Sequence, residues 1–220
     1  MLYSWEKKFL FIHIPKTAGQ SIKEALSRYT FSPGAMNFLT RRLGRVFPYL
    51  TPIFFYRWRT FDPHLLYREA QRLIPSRELE KCLKFCFVRN PYDRMVSYYN
   101  HILSHPNHAF HQKVKHWGNF EAMTLRLPEL NEPSQAAFIK NEKGLLAMDF
   151  IGRFEKLESG FNQINTQLAL NSNLPWVNSS QTKSVANNFY SDVSKLSVYR
   201  FYEEDFDSFE YPHQLTGKIL

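Results

Sequence analysis

The sequence predicts an α/β protein, a single domain over residues 1–220 with a central parallel β-sheet flanked by helices. Three observations predict it. Two continuous apolar runs, FLFIHI (9–14) and CLKFCFV (82–88), read as strands covered on both faces. Each is followed by a turn and a helical pattern, the alternation that produces right-handed crossovers between parallel strands. The length suits one sizeable core and is short for two independent ones.

The elements follow in order. After the first strand, Ile22, Ala25, Leu26 and Tyr29 fall at i, i+3, i+4 and i+7, one face of a helix. Residues 30–52 carry Pro33, Gly34, Gly44, Pro48 and Pro52 and read as loop with one short basic helix. IFFYRW (53–58) is a candidate second strand, followed by FDPH and a helix over 65–74. After CLKFCFV, Asn90 is a good N-cap and Pro91 suits a first helical turn, so a helix begins there. Met95, Val96, Tyr99 and Leu103 mark its buried side.

A polar, histidine-rich loop is expected over 104–120, then helical stretches near 121–127 and 133–141. MDFIGRF (148–154) reads as a short strand leading into a helix over 155–170 with Leu157, Phe161, Ile164 and Leu168 as its stripe. A Pro/Asn/Ser-rich loop (171–184), a last helix near 188–200 and the tail FYEEDFDSFEYP complete the chain.

Composition narrows the function. Hydrophobic residues at 44% and charged residues at 22% argue against disorder. Aromatics at 16% suit a Phe-rich core or a ring-lined groove. Twenty-eight basic against 20 acidic side chains leave +8, a surplus that favours anionic ligands without separating nucleic acid from an acidic cofactor. Two cysteines, Cys82 and Cys86, are too few for a disulfide scaffold and lack zinc spacing, so they read as buried thiols of a reducing compartment. No membrane span or signal peptide is visible. That pattern predicts a cytoplasmic protein, or the soluble catalytic part of a membrane-anchored parent.

Two segments carry the chemistry. In IPKTAGQS (14–21) a strand ends in a turn that opens a helix, leaving backbone N–H groups and the helix dipole aimed at the loop. Lys16 adds a full charge, Thr17 and Ser21 add hydroxyls, and Gly19 permits close backbone approach. A nucleoside-triphosphate loop needs its lysine after the glycines; here Lys16 precedes the loop's one glycine, which disfavours ATP chemistry. In VRNPYDRMVSYY (88–99), Arg89 stands where a strand ends. Arg94 and Ser97 lie at i, i+3 on the following helix, a spacing at which a guanidinium and a hydroxyl hold a second phosphate.

In this order, each at a strand–helix junction, the two segments resemble the cofactor loops of the sulfotransferase superfamily, which has a P-loop-like fold. The match is nearest to carbohydrate sulfotransferases of the heparan sulfate 2-O-sulfotransferase and HNK-1 type, small bacterial relatives included. The resemblance implies 3′-phosphoadenosine 5′-phosphosulfate as donor and 3′,5′-adenosine bisphosphate as product. It implies that Lys16, Thr17, Ala18, Gly19, Gln20 and Ser21 surround the 5′-phosphosulfate and that Arg89 and Ser97 hold the 3′-phosphate. Gln20 departs from the family's usual Thr, a change that a backbone contact survives and a hydroxyl contact does not. IGRFEKLESGF (151–161) and FYEEDFDSFEY are similar to later family landmarks, although Gly160 stands where an acidic residue is usual. LPWVNSSQTK (174–183) resembles a late cofactor loop and makes Lys183 a candidate for the adenosine or 3′-phosphate.

Sulfuryl transfer to an alcohol needs a base, an in-line grip on the moving group and a cation for the leaving phosphate, and no metal. Lys16 fits the cation. His64 in FDPHLLYREA is the expected base, because related enzymes carry a histidine in that segment; Asp62 and Glu69 are the reserve carboxylates. His101, His105, His108 and His111 form a dense cluster without an H-E-x-x-H pattern, which reads as solvated loop or acceptor cleft rather than a metal site. His13 reads as a hydrogen-bonded core residue. Arg153 is a candidate contact for an anionic acceptor, Glu155 braces its helix, and Gln135 is a weaker site candidate. The expected partner is a hydroxyl-bearing acceptor, a glycan of anionic character, and not nucleic acid. A kinase-like phosphotransferase and a basic nucleic-acid-binding module are the competing readings.

Overall fold

A computed structural model describes residues 1–30, 64–175 and 188–214. The expected strand at 53–58, the basic helix of 30–52, Asp62 and Lys183 lie outside the described residues.

The chain is a mixed α/β protein built on a four-stranded sheet in the order β1-β2-β3-β4: β1 (Leu2–Ser4), β2 (Phe9–Ile12), β3 (Leu83–Val88) and β4 (Phe150–Arg153). The parallel pairing of β2 with β3, Phe9 opposite Leu83 through Ile12 opposite Cys86, is the one the apolar runs predict. The first pairing adds an edge strand that no apolar run announces. β1 and β2 are antiparallel, joined through residues 5–8, where Lys8 adopts a left-handed φ of 53°. A tight hairpin needs only a short reversal, and its first strand is three residues long, so no periodicity announced it.

Between the strands run α1 (Gly19–Leu26), α2 (Tyr67–Leu73) and α3 (Ser76–Leu79). After β3 come α4 (Pro91–Ser104), α5 (His111–Trp117), α6 (Phe120–Thr124) and α7 (Gln135–Ile139). After β4 come α8 (Leu157–Gln167), α9 (Asp192–Phe201) and α10 (Glu203–Ser208). The expected N-terminus of α4 forms as read: the Asn90 side chain accepts a hydrogen bond from Tyr92 N at 2.9 Å, with Pro91 in the first turn. Two segments differ from expectation. The polar stretch after α4 folds its middle into α5, seated by the buried Val114 and His111, and the acidic tail folds into α10 around buried Asp205 and Phe206. No helix among the described residues is long and apolar enough to cross a membrane.

The described residues of Met1–Phe87 and Phe138–Val177 form one compact unit, and those of Val88–Ala137 and Asn178–Leu220 a second. In the first, Phe9, Phe11, Phe85 and Phe87 present one face of the sheet to Ile22, Ala25 and Leu26 of α1 and to Phe161 and Ile164 of α8. The period-2 and period-3.6 stripes meet there, as apolar faces must. Gly160 has its reason in this core: a Cβ there would stand 2.9 Å from the Phe87 ring. The phenylalanine occupies the space an acidic side chain would take. Both cysteines are buried free thiols; burial pushes Cys82 up to about 11 and Cys86 higher still, so neither ionises near neutral pH. Cys82 precedes β3 and bonds to Glu78 O, so the two do not share a strand face.

In the second unit, Met95, Val96, Tyr98 and Ile102 form the buried side of α4 together with Tyr92, a stripe rotated from the one expected. Arg94 explains the rotation. It is buried, pairs with Glu132, and donates to Pro133 O.

Candidate active site

The loop between β2 and α1 lies in the first unit and is built by strain. Lys16 has φ 69° and Ala18 φ 66°, left-handed values that cost a non-glycine residue about 1 kcal/mol each. Left-handed residues on both sides of Thr17 give the loop the alternating backbone of a nest, a conformation in which successive N–H groups can line a concavity for an anion. The first turn of α1 adds N–H groups that no preceding helical carbonyl can satisfy, those of Gly19, Gln20 and Ser21. Thr17 is wholly buried, and its hydroxyl donates to Ile14 O at 2.9 Å. That bond ties the loop across its base. The Gln20 side chain is exposed, whereas its N–H belongs to the first turn of α1, so a backbone contact survives the loss of the usual hydroxyl.

His13 sits beneath this loop. It is buried, stacks on Phe11 at 6.0 Å, and lies so close to Gly19 that a Cβ there would fall 1.8 Å from its ring. Only glycine lets the loop settle on the imidazole. The His64 ring stands 4.8 Å from it, centroid to centroid. His64 thus stands against His13, and His13, buried as expected of a core residue, stands against Gly19 of the loop. Its signal was available: a lone polar residue inside an apolar run, two positions before Pro15. Burial, followed by the charges of His64, the N-terminus, Lys23 and Lys16, lowers His13 from its ordinary 6.5 to about 3. The charges that act on it, those of His64, the N-terminus, Lys23 and Lys16, are all positive.

Glu69, a reserve carboxylate, accepts a hydrogen bond from Leu66 N at 2.8 Å and caps α2. It serves that helix.

Arg89 and Ser97 belong to the second unit. Arg89 leaves the end of β3 and is 3% exposed, while Ser97 is half-buried on α4. The expectation that Arg94 joins Ser97 in holding a phosphate is corrected: its guanidinium is committed to Glu132 and Pro133. The backbone of Arg89 is held on both sides by one side chain. Arg89 N donates to Gln135 Oε1 and Gln135 Nε2 donates to Arg89 O, each at 2.8 Å. Asp205 in turn accepts from Gln135 N and Ala136 N, also at 2.8 Å.

The histidine cluster caps α4 and supports the segment after it. His105 Nδ1 lies 2.8 Å from His101 O and His111 Nδ1 2.9 Å from Ile102 O, while His108 Nδ1 accepts from Phe110 N. Imidazoles that satisfy the last carbonyls of a helix account for the spacing. Arg153 ends β4, and Glu155 is exposed in the 3₁₀ turn before α8.

A strand–loop–helix turn carrying a lysine, seated on one histidine with a second beside it, is an arrangement that suits group transfer from an anionic donor. The family model described as the sulfotransferase family matches residues 1–212, and the chain belongs to that family. It is a transferase of sulfuryl groups. Comparison with curated proteins and with solved structures returned no match to either.

Proposed function

We propose that the chain works as one sulfotransferase domain that takes the sulfuryl group from 3′-phosphoadenosine 5′-phosphosulfate and delivers it to a hydroxyl of an anionic glycan. The observation that carries this reading is the left-handed, lysine-bearing loop seated on His13 with His64 alongside. Each unit offers donors of the kind the nucleotide needs: in the first, the N–H groups of the loop with Lys16 suit a phosphosulfate, and in the second, the buried cation Arg89 with the Ser97 hydroxyl suits a 3′-phosphate. Lys183 is proposed as a further contact to the adenosine or the 3′-phosphate. The donor, when bound, supplies a sulfuryl group on a phosphate leaving group.

The chain's residues do the rest. The N–H groups of residues 18–21 orient the anion; Lys16 neutralises the charge that collects on the leaving oxygen. His64 accepts the acceptor's proton at a ring nitrogen, and His13, held neutral by burial, adds no charge that would repel the proton arriving there. The net positive charge suits an acidic saccharide.

The test is transfer of radiolabelled sulfate from the donor onto a panel of sulfated and uronic-acid glycans, neutral sugars, lipids and small alcohols. Transfer to the acidic glycans is expected. Lys16→Ala should lower turnover by about 10²-fold or more with the fold intact. His64→Ala should abolish transfer while leaving the affinity for 3′,5′-adenosine bisphosphate within about twofold. Normal turnover in either variant removes that residue from the mechanism, and transfer only to neutral alcohols overturns the acceptor class.

A further inference from the structure

Arg89 stands just beyond the sheet, where a ladder partner would ordinarily satisfy its backbone. Gln135, 46 residues away in sequence, supplies that partner from a side chain. Its carbonyl oxygen takes the Arg89 N–H and its amide donates to the Arg89 carbonyl, so one planar group fixes the peptide on both sides of the Arg89 Cα. The glutamine is wholly buried and has no room to swing. Its own backbone is fixed by Asp205, another wholly buried side chain, whose two carboxylate oxygens accept from Gln135 N and Ala136 N. Burial pushes the Asp205 carboxyl above the usual carboxylate range, and the nearby Arg94 guanidinium and the two N–H donors offset only part of that cost.

We propose that Gln135 and Asp205 are positioning residues that aim the Arg89 side chain and thereby set the enzyme's preference for nucleotides bearing a 3′-phosphate. The inference rests on the reading of Arg89 as the 3′-phosphate contact. Its physical basis is leverage. The guanidinium lies several bonds from the backbone, so a small rotation at Arg89 is magnified at its tip, where a shift of about 1 Å costs up to about 10²-fold. Neither Gln135 nor Asp205 touches the nucleotide in this account. Their effect runs through Arg89 and vanishes when Arg89 is removed.

The experiment is a double-mutant cycle read by calorimetric titration with 3′,5′-adenosine bisphosphate and with 5′-AMP, which lacks the 3′-phosphate. Gln135→Met keeps the length of the side chain and removes both bonds. It should weaken the bisphosphate by about tenfold or more while changing 5′-AMP less than about twofold, so that the ratio of the two affinities falls. Asp205→Asn, a milder change, should move the ratio in the same direction and decides the question if Gln135→Met does not fold. In an Arg89→Ala background neither substitution should alter the ratio further. Equal weakening of both nucleotides, or an unchanged ratio in the folded variants, overturns the proposal. The underlying reading fails separately: Arg89→Ala alone would then leave the ratio at its wild-type value.

Discussion

Gly19 is where the loop meets His13, whose ring stands beside that of His64. A methyl group on its Cα has no place to go, because the imidazole beneath is itself buried. Gly19→Ala should therefore destabilise the protein by about 1–3 kcal/mol and weaken nucleotide binding, read by chemical denaturation and titration. Adding His13→Ala, which empties the space, should return part of the lost stability. A stable single variant with normal binding would place the loop elsewhere.

His13 also gives a pH prediction with a definite sign. In the unfolded chain it takes up a proton below about 6.5, whereas in the folded protein burial and the neighbouring positive charges hold it to about 3. Between those values the unfolded state binds more protons, so stability is fully present above 6.5 and declines as the pH falls, by up to about 1.4 kcal/mol per pH unit from this group. Urea unfolding at a series of pH values should show a slope that His13→Gln reduces. An unchanged slope would mean that His13 charges freely in the fold.

At the scale of elements, what the sequence disclosed follows from how each signal arises. Continuous apolar runs and a 3.6-residue stripe are local, so β2, β3, α1 and α8 were legible, as was the Asn90–Pro91 start of α4. β1 was not, because three residues carry no period. α5 was not, because its face rests on one valine and one histidine in a polar stretch. The site divides in the same way. The loop residues follow one another in the chain and announce themselves. The approach of His13 to His64 and the grip of Gln135 on Arg89 join positions far apart in sequence, which no local pattern encodes. Arg94 misled because spacing shows that two residues share a helical face and does not show that Glu132 waits there.

Gly160 supplies the prediction at this scale. α8 packs against the sheet with Phe87 filling the space over Gly152 and Gly160. Gly160→Asp, the residue class usual in the family, should cost at least about 1 kcal/mol in thermal or chemical unfolding, since the ring must yield and a carboxylate enters an apolar contact. Phe87→Leu in the same chain should recover part of the loss. A neutral effect of Gly160→Asp would show that the ring does not constrain this position.

For the whole molecule, the family match over residues 1–212 shows a sulfuryl-transfer enzyme, and a net charge of +8 and a lysine-bearing strand–loop–helix turn are in keeping with its anionic chemistry. Which adenine nucleotide the chain accepts separates sulfuryl transfer from phosphoryl transfer. Calorimetric titration of the intact chain with 3′,5′-adenosine bisphosphate and, separately, with ATP and Mg²⁺ decides it. A sulfotransferase site should bind the bisphosphate saturably and one to one, tighter than ATP/Mg²⁺ by at least about tenfold. Binding of ATP/Mg²⁺ with none of the bisphosphate would contradict it.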